Sequence, residues 1–185
     1  GVMGGLGLAF FLEYFTDTIT NPDEISDRFH IPILGVVPLS KTNGFPVENI
    51  FLNDPGAPLS EAMRSTKMSI QLSGTASQAS SFVMTSTKPS EGKTTMAANL
   101  ALAFAGAGER VVLLDADMRK PRLHKFFQPP GDTSSPGLSK FLAGVGSKGL
   151  ICQNGISNLS FIPAGPVPPN PVELLASDRF VLLVQ

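Results

Sequence analysis

The pattern of apolar and polar positions divides the chain into an apolar start, a loop-rich connector and a longer region of alternating helices and strands. Residues 1–15 carry no charge before Glu13, and four of the first seven residues are glycine. This run is shorter than the ~20 residues that span a bilayer, but its small residues suit close helix packing in lipid. We expect residues 1–15 to be the C-terminal end of a transmembrane helix. A buried soluble helix is the alternative, which the glycines would weaken.

The connector, residues 16–58, has the composition of loops. A short helix is predicted over Pro22–Phe29 because Thr20 and Asn21 precede a proline and two acids. Ile33–Pro38 is predicted to be a short extended segment that ends at proline. Ser40–Pro58 contains several prolines, glycines and asparagines, which predict a loop.

The region 59–185 alternates helical and strand patterns, which predicts an α/β domain with a mainly parallel sheet. A first helix is expected to open near Leu59, with Ser60 as its N-cap, and to end near Leu72. The last helix is expected to begin at Asn170–Pro171 and to continue to Gln185. Between them the predicted elements are a strand Phe82–Thr85, a helix Thr94–Ala107, a strand Arg110–Leu114 buried on both faces, a helix near Leu138–Leu142 and a strand near Leu159–Ile162.

Composition and charge exclude several classes of protein. Hydrophobic residues make up 42 % and charged residues 16 % of the chain; about a quarter charged is usual, so part of the chain is unusually apolar. The net charge of −1 does not indicate the excess of Lys and Arg that is typical of nucleic-acid-binding proteins. Cys152 is the single cysteine, so no internal disulfide is possible. His30 and His124 stand far apart and predict no His/Cys metal cluster.

The segment Ser86–Thr95 has the features of a phosphate-binding loop. A strand is predicted before it and a helix after it, so successive backbone N–H groups and the helix dipole would face a polyphosphate. Lys93 can reach the β- and γ-phosphates of a nucleotide, and the Thr94 hydroxyl can bind Mg²⁺. Thr87 stands where the standard loop has glycine, so the start of the loop must differ. The residues predicted to contact the nucleotide are Pro89, Ser90, Glu91, Gly92, Lys93, Thr94 and Thr95.

A second acidic motif follows the next predicted strand. Asp115 and Asp117 lie directly after Leu113–Leu114, at the carboxyl edge of the sheet, where open α/β sheets bind ligands. Two carboxylates in this position can hold Mg²⁺ directly or through water, and one of them can accept a hydroxyl proton. Lys93, Asp115 and Asp117 are therefore the candidate catalytic residues, and Thr94, Asp115 and Asp117 are the candidate metal ligands.

The two motifs together, S-x-x-P-x-E-G-K-T-T and L-L-D-A-D-M-R-K-P, closely resemble those of the bacterial tyrosine kinases. These are built on a P-loop ATPase fold, and their membrane-anchored members are polysaccharide co-polymerases of capsule and exopolysaccharide export. The resemblance implies ATP and Mg²⁺ as cofactors and a tyrosine autokinase activity. It also implies that Glu61, Arg64 and Lys67 lie on a helix that packs one subunit on the next in a ring. A solvated helix face is the alternative for these three residues.

By this resemblance, we expect an inner-membrane protein whose nucleotide domain, residues 59–185, lies in the cytoplasm and works with the polysaccharide polymerase and export machinery. The Walker B strand and a tyrosine cluster are expected outside these residues, so the chain is expected to be a fragment that is inactive by itself. Two other functions stay open. One is a P-loop ATPase of the partition or septum-positioning type, to which Lys88 gives a weak positional likeness. The other is a structural chain-length regulator with an inactive nucleotide domain.

Overall fold

The computed structural model describes residues 5, 11, 23–39, 46–73, 81–127, 135–146 and 148–185. The chain divides into two compact units, Gly1–Val36 and Val37–Gln185. In the first unit, helix α1 spans Asp23–Phe29, close to the predicted helix, and buries none of its side chains. No helix among these residues has the length and apolar character needed to cross a bilayer. Apart from Gly5 and Phe11, the predicted membrane segment 1–15 lies outside the described part of the chain.

The second unit combines helices and strands, as expected for an α/β domain, but they do not alternate strictly. Its elements are a 3₁₀ turn Val47–Asn49, α2 Ile50–Asn53, α3 Pro58–Leu72, α4 Lys93–Gly106, β1 Val111–Leu114, α5 His124–Phe127, α6 Gly137–Leu142, β2 Cys152–Gln153, β3 Leu159–Ile162, α7 Pro171–Leu175 and α8 Asp178–Val184.

The sheet of the described residues has three strands in the order β1-β3-β2 and is mixed. Strands β1 and β3 are parallel, with Leu113 opposite Phe161, and β2 runs antiparallel to β3. Because β1 and β3 run in the same direction, their carboxyl ends meet at one edge. Asp115, the residue after β1, stays attached to this edge because its N–H donates to the carbonyl of Ile162 at 2.9 Å.

Helix α4 lies between the sheet and α3, and this position explains its alanine-rich sequence. All eight residues 98–105 are buried, so the helix has no solvated face along this stretch. Ala98 and Leu102 belong to a core cluster with Phe161 of β3. Phe104, on another side of the helix, packs in a second cluster with Met63 of α3. The small alanines let α4 approach both neighbours closely.

Two glycines allow two distant segments to cross with their backbones in contact. A Cβ added to Gly137 would lie 2.2 Å from the Cα of Gly165, and both glycines have positive φ. Across the contact, Leu138 N–H donates to the carbonyl of Pro163 at 2.7 Å, and the Ser139 hydroxyl donates to that of Pro166 at 2.7 Å. The crossing fixes α6 beside the end of β3.

Several predicted elements differ in the structure. Phe82–Thr85 is not a strand: it pairs with no strand among the described residues, and Val83 is 91 % exposed. Apolar composition favours a strand, but a strand also needs a partner. Strand β1 is not buried on both faces, since Val112 is 54 % exposed. The last helix is interrupted at Ser177, whose extended backbone ends the α7 segment before α8 begins.

The start of α3 and the predicted loop before it also differ. Ala57, not Ser60, occupies the N-cap position of α3, and the Ser60 hydroxyl donates to the carbonyl of Asp54 at 2.7 Å. The predicted loop Ser40–Pro58 contains the 3₁₀ turn and α2. The buried side chain of Asn99, on α4, hydrogen-bonds to the backbone of both turns and helps to hold them.

Candidate functional site

The predicted phosphate-binding loop leads directly into α4, which begins at Lys93. Gly92 has φ 90° and ψ 12°, in the left-handed region that favours glycine. A Cβ at this position would meet no atom within 4 Å, so the backbone conformation, and not space, requires glycine here. Ser90 also has a positive φ, of 66°. The loop therefore makes two left-handed steps immediately before the helix.

The N-terminus of α4 is open to an anion. No side chain caps the helix, and its first turn contains no acidic residue. The first N–H groups of a helix have no partner within it, and the helix dipole places positive potential there. Lys93, Thr94 and Thr95 are half-buried at this end. Backbone donors therefore lie at the end of α4 that also carries one ammonium and two hydroxyl side chains, a set that suits a polyphosphate.

Glu91 braces the first half of the loop. Its Oε2 atom accepts the backbone N–H groups of Thr87 and Lys88, each at 3.0 Å. The Thr87 hydroxyl also donates to this carboxylate, at 3.1 Å. The N–H of Lys88 is the largest cause that holds the pKa of Glu91 below its ordinary value; burial opposes it, and the two Thr87 hydrogen bonds assist it.

Asp115 is buried at the end of β1, and loop amides occupy both of its oxygens. Oδ1 accepts the N–H of Asp117 at 3.2 Å, while Oδ2 accepts those of Arg122 and Leu123 at 3.3 and 3.2 Å. Burial raises the pKa of Asp115, although the three amides act in the opposite direction. Asp115 therefore organises the loop from 116 to 123.

Asp117 has different surroundings. Its side chain is exposed, and its Oδ1 accepts the N–H of Lys120 at 3.0 Å. Of the two predicted acids, Asp117 is thus the one that can approach a ligand from the solvent side.

The donor set of the site fits Mg²⁺ bound together with a nucleotide. Among the residues that the structure describes, no three His, Cys, Asp or Glu side chains gather into a metal site. Mg²⁺ in nucleotide sites usually has one or two carboxylates, with water and phosphate oxygens as its other ligands. The Thr94 hydroxyl and the aspartates supply hard oxygen atoms of this kind. Asp117 is open to such a role, whereas the oxygens of Asp115 already accept loop amides.

Comparison with known proteins identifies the domain. The family described as the CobQ/CobB/MinD/ParA nucleotide binding domain matches residues 82–160, which contain the loop and both aspartates. The putative tyrosine-protein kinase EpsB of Ralstonia solanacearum is 33 % identical over 195 residues. The BceF tyrosine kinase domain superposes with a TM-score of 0.78 at 31 % identity, over 89 % of this chain and 70 % of that one. The chain belongs to the bacterial tyrosine kinases.

This bacterial tyrosine kinase chain matches only part of its relatives. The match covers the whole chain but 26 % of EpsB. The putative tyrosine-protein kinase CapB of Staphylococcus aureus, also 33 % identical, is matched over 74 % of this chain and 60 % of its own length. The 185 residues therefore correspond to a portion of these proteins.

The three residues predicted to pack kinase subunits together lie on α3. Arg64 is held within its own chain: it forms an ion pair with Glu61 and donates to the carbonyl of Pro55 at 2.9 Å. Its guanidinium carbon also lies 5.1 Å from the centre of the Phe51 ring. Lys67 is half-buried and has no ion pair among the described residues. Arg64 thus has a local role in addition to any role in assembly.

Two polar residues that support the kinase site were not predicted from the sequence. Asn99 is fully buried on α4, and its amide nitrogen donates to the carbonyls of Val47 and Thr95. Glu48 is buried, and its carboxylate lies 3.8 Å from the Arg122 guanidinium. Asparagine inside an alanine-rich helix was the available signal for the first. Nothing in the connector sequence distinguished Glu48.

Proposed function

We propose that this chain is the ATP-binding part of a protein-tyrosine autokinase. The observation that carries the proposal is the uncapped start of α4, where the Gly92 turn, Lys93 and Thr94 suit a polyphosphate. The likeness to tyrosine kinase sequences and to a solved tyrosine kinase domain supports the choice of kinase. The reaction is transfer of the γ-phosphoryl group of ATP to tyrosine hydroxyls of neighbouring subunits.

In this reaction the residues of the chain mainly position groups and stabilise charge. The amides at the start of α4 and the Lys93 ammonium bind the phosphates. Thr94 and Asp117 would hold Mg²⁺ directly, and Asp115, whose oxygens accept loop amides, would act through water. When bound, Mg²⁺ would neutralise charge on the phosphates. Asp117, whose side chain is exposed, would accept the proton of the tyrosine hydroxyl. Tyr14 is the one tyrosine of the 185 residues, so the acceptor hydroxyls are proposed to come from elsewhere in the protein.

The proposal includes the surroundings of the domain. Residues 1–15 end a transmembrane helix, residues 16–58 form the juxtamembrane connector, and the nucleotide domain faces the cytoplasm at the inner membrane. The protein forms a ring-like homo-oligomer, works with the polysaccharide polymerase and export machinery, and regulates capsule or exopolysaccharide synthesis. The names of the relatives, EpsB and CapB among them, support the tyrosine kinase class.

The test is phosphotyrosine formation by the intact protein with ATP and Mg²⁺. Lys93→Met removes the charge at the phosphates and keeps most of the side-chain length, so both ATP binding and phosphotyrosine should be lost. Lys140→Met removes an exposed lysine of α6 and serves as the matched control. Unchanged ATP binding by Lys93→Met would show that the phosphate site has been misplaced.

A P-loop ATPase without kinase activity is the second candidate. The match to a family description that includes MinD and ParA favours it. It predicts ATP hydrolysis by the intact protein with no phosphotyrosine. A structural regulator with an inactive nucleotide domain predicts neither product and the same polysaccharide length in Lys93→Met as in the parent.

A further inference from the structure

The start of the phosphate-binding loop lacks the glycine of the standard motif and must be held in another way. Thr87 occupies that position, and neither Thr87 nor Lys88 has a positive φ. The left-handed steps come later, at Ser90 and Gly92. A loop of this composition, with Pro89 in its middle, needs a tie between its first and last residues if it is to keep one curvature.

The Glu91 side chain provides this tie. A single oxygen accepts two consecutive amides, those of Thr87 and Lys88, at 3.0 Å each. Both carboxylate oxygens also lie within 3.2 Å of the Thr87 hydroxyl. The Ser86 hydroxyl donates to the Lys88 carbonyl at 2.9 Å and closes the same turn. Together these bonds connect the residue before Gly92 to the first two residues of the loop.

The tie places a negative charge next to a site for an anionic ligand. The amides lower the pKa of Glu91, so the group is ionised at neutral pH, and the Lys88 charge also favours ionisation. Charge alone would make Glu91 unfavourable for ATP binding. Its presence is explained if the geometry it imposes contributes more to affinity than its charge removes.

Glu91 and the phosphates have different donors. The carboxylate binds amides of residues 87 and 88, whereas the open amides of α4 begin at Lys93. Both anions can therefore be bound at once. Building on the proposed nucleotide site, we propose that Glu91 is a positioning residue whose carboxylate fixes the backbone of Thr87 and Lys88 and thereby sets the loop curvature for ATP.

The experiment measures ATP binding to the intact protein by calorimetry. Glu91→Ala should weaken binding about tenfold, because the loop loses all of its charge-assisted hydrogen bonds to this side chain. Glu91→Gln keeps an amide oxygen as acceptor and should recover affinity to within about threefold of the parent. Glu109→Ala removes an exposed carboxylate that accepts the Gln71 amide at 2.8 Å, and it controls for net charge.

Thr87→Val provides a second, independent variant. It removes the hydroxyl donor to Glu91 but keeps both amides, so it should weaken binding less than Glu91→Ala does. Combined with Glu91→Ala it should have no additional effect, because both changes act through the same carboxylate. The midpoint of thermal unfolding should stay constant in all variants, since the loop is exposed.

Affinity equal to or tighter than the parent in Glu91→Ala would overturn the proposal, because a carboxylate that competes with phosphate predicts that result. Equal losses in Glu91→Gln and Glu91→Ala would also overturn it, since the acceptor geometry would then be irrelevant. Lys93→Met distinguishes failure of the proposed nucleotide site from failure of the proposed role of Glu91. If Lys93→Met abolishes binding while Glu91→Ala does not change it, the nucleotide site stands and the role of Glu91 fails.

Discussion

Asp115 and Asp117 are two positions apart and differ in what surrounds their carboxylates. Three backbone amides surround the buried Asp115, and one contacts the exposed Asp117. Substitution by Asn keeps the shape of each side chain and removes its charge. The two substitutions therefore test separately the loop contacts of Asp115 and the proposed catalytic role of Asp117.

We predict that Asp117→Asn abolishes activity with little effect on the fold. Phosphotyrosine formation by the intact protein with Mg²⁺ and ATP should fall by a factor of about 100 or more, the usual scale for a general base. The free energy of unfolding should change by less than ~0.5 kcal/mol because the side chain is exposed. Near-parental phosphorylation would remove Asp117 from the proposed catalytic set.

We predict that Asp115→Asn, in contrast, destabilises the protein by about 1–3 kcal/mol. One carboxylate oxygen becomes an NH₂ group, which cannot accept the loop amides that now point at it. The measurement is denaturant unfolding, with Asp117→Asn as the matched variant. Equal stability of the two variants would mean that the amides around Asp115 do not depend on its carboxylate.

At the level of elements, Asn99 joins α4 to the turns that precede α3. Its oxygen accepts the Phe51 N–H at 2.9 Å and its nitrogen donates to the Val47 carbonyl at 2.8 Å. Both backbone groups lie in segments that the sequence predicted as loop. The amide thus attaches a part of the connector to the helix that carries the proposed phosphate site.

We predict that Asn99→Leu costs about 2 kcal/mol, because it leaves the part-buried Phe51 N–H without its partner and removes one donor from the Val47 carbonyl. Gln71→Leu removes an amide from an exposed position of α3 and should change the free energy of unfolding by less than ~0.5 kcal/mol. Equal effects of the two substitutions, measured by denaturant unfolding, would contradict the assigned role of Asn99.

The helices and strands also show which features of the fold can be predicted from local sequence. Helix α4 and strand β3 were predicted closely, because an alanine-rich run and a short apolar run bounded by turns are local signals. Phe82–Thr85 has the same apolar character, but pairing is a property of two segments and cannot be read from one. Gly92 was identified as part of a motif, but its left-handed backbone was not predicted. The hydrogen bonds of Glu91 with Thr87 and Lys88, and of Asn99 with Val47, could be recognised only in the folded structure.

For the molecule as a whole, the crossing of Gly137 and Gly165 ties the outer helix α6 to the site. The crossing holds the segment after β3, and the last residue of β3, Ile162, accepts the N–H of Asp115. Met118, in the Asp115 loop, packs in one cluster with Leu138 of α6. Contacts made by α6 and by the segment after β3 therefore support the position of the acidic loop.

We predict that Gly165→Ala destabilises the protein by about 3 kcal/mol or more, from a strained φ together with a clash. A Cβ there would lie 2.7 Å from the Pro136 carbonyl oxygen. Gly155→Ala is the matched control, since Gly155 has a similar φ of 75° but no atom near the added Cβ. It should cost only about 1 kcal/mol. Equal losses in thermal unfolding would mean that close backbone approach is unimportant.

At the largest scale, the proposed packing of subunits can be tested at one residue, because the structure separates Lys67 from the local contacts of Arg64. Reversing the charge of Arg64 would break its contacts with Pro55 and Phe51 as well as any contact with a neighbouring subunit. Lys67 lies one turn further along α3 and has no such ion pair among the described residues. We therefore predict that Lys67→Glu lowers the oligomer mass of the intact protein in light scattering and leaves thermal unfolding unchanged. Arg64→Glu should lower both, and Lys140→Glu, on the exposed part of α6, should lower neither. If the mass is unchanged in Lys67→Glu, this part of α3 is a solvated face, and the local contacts of Arg64 account for it fully.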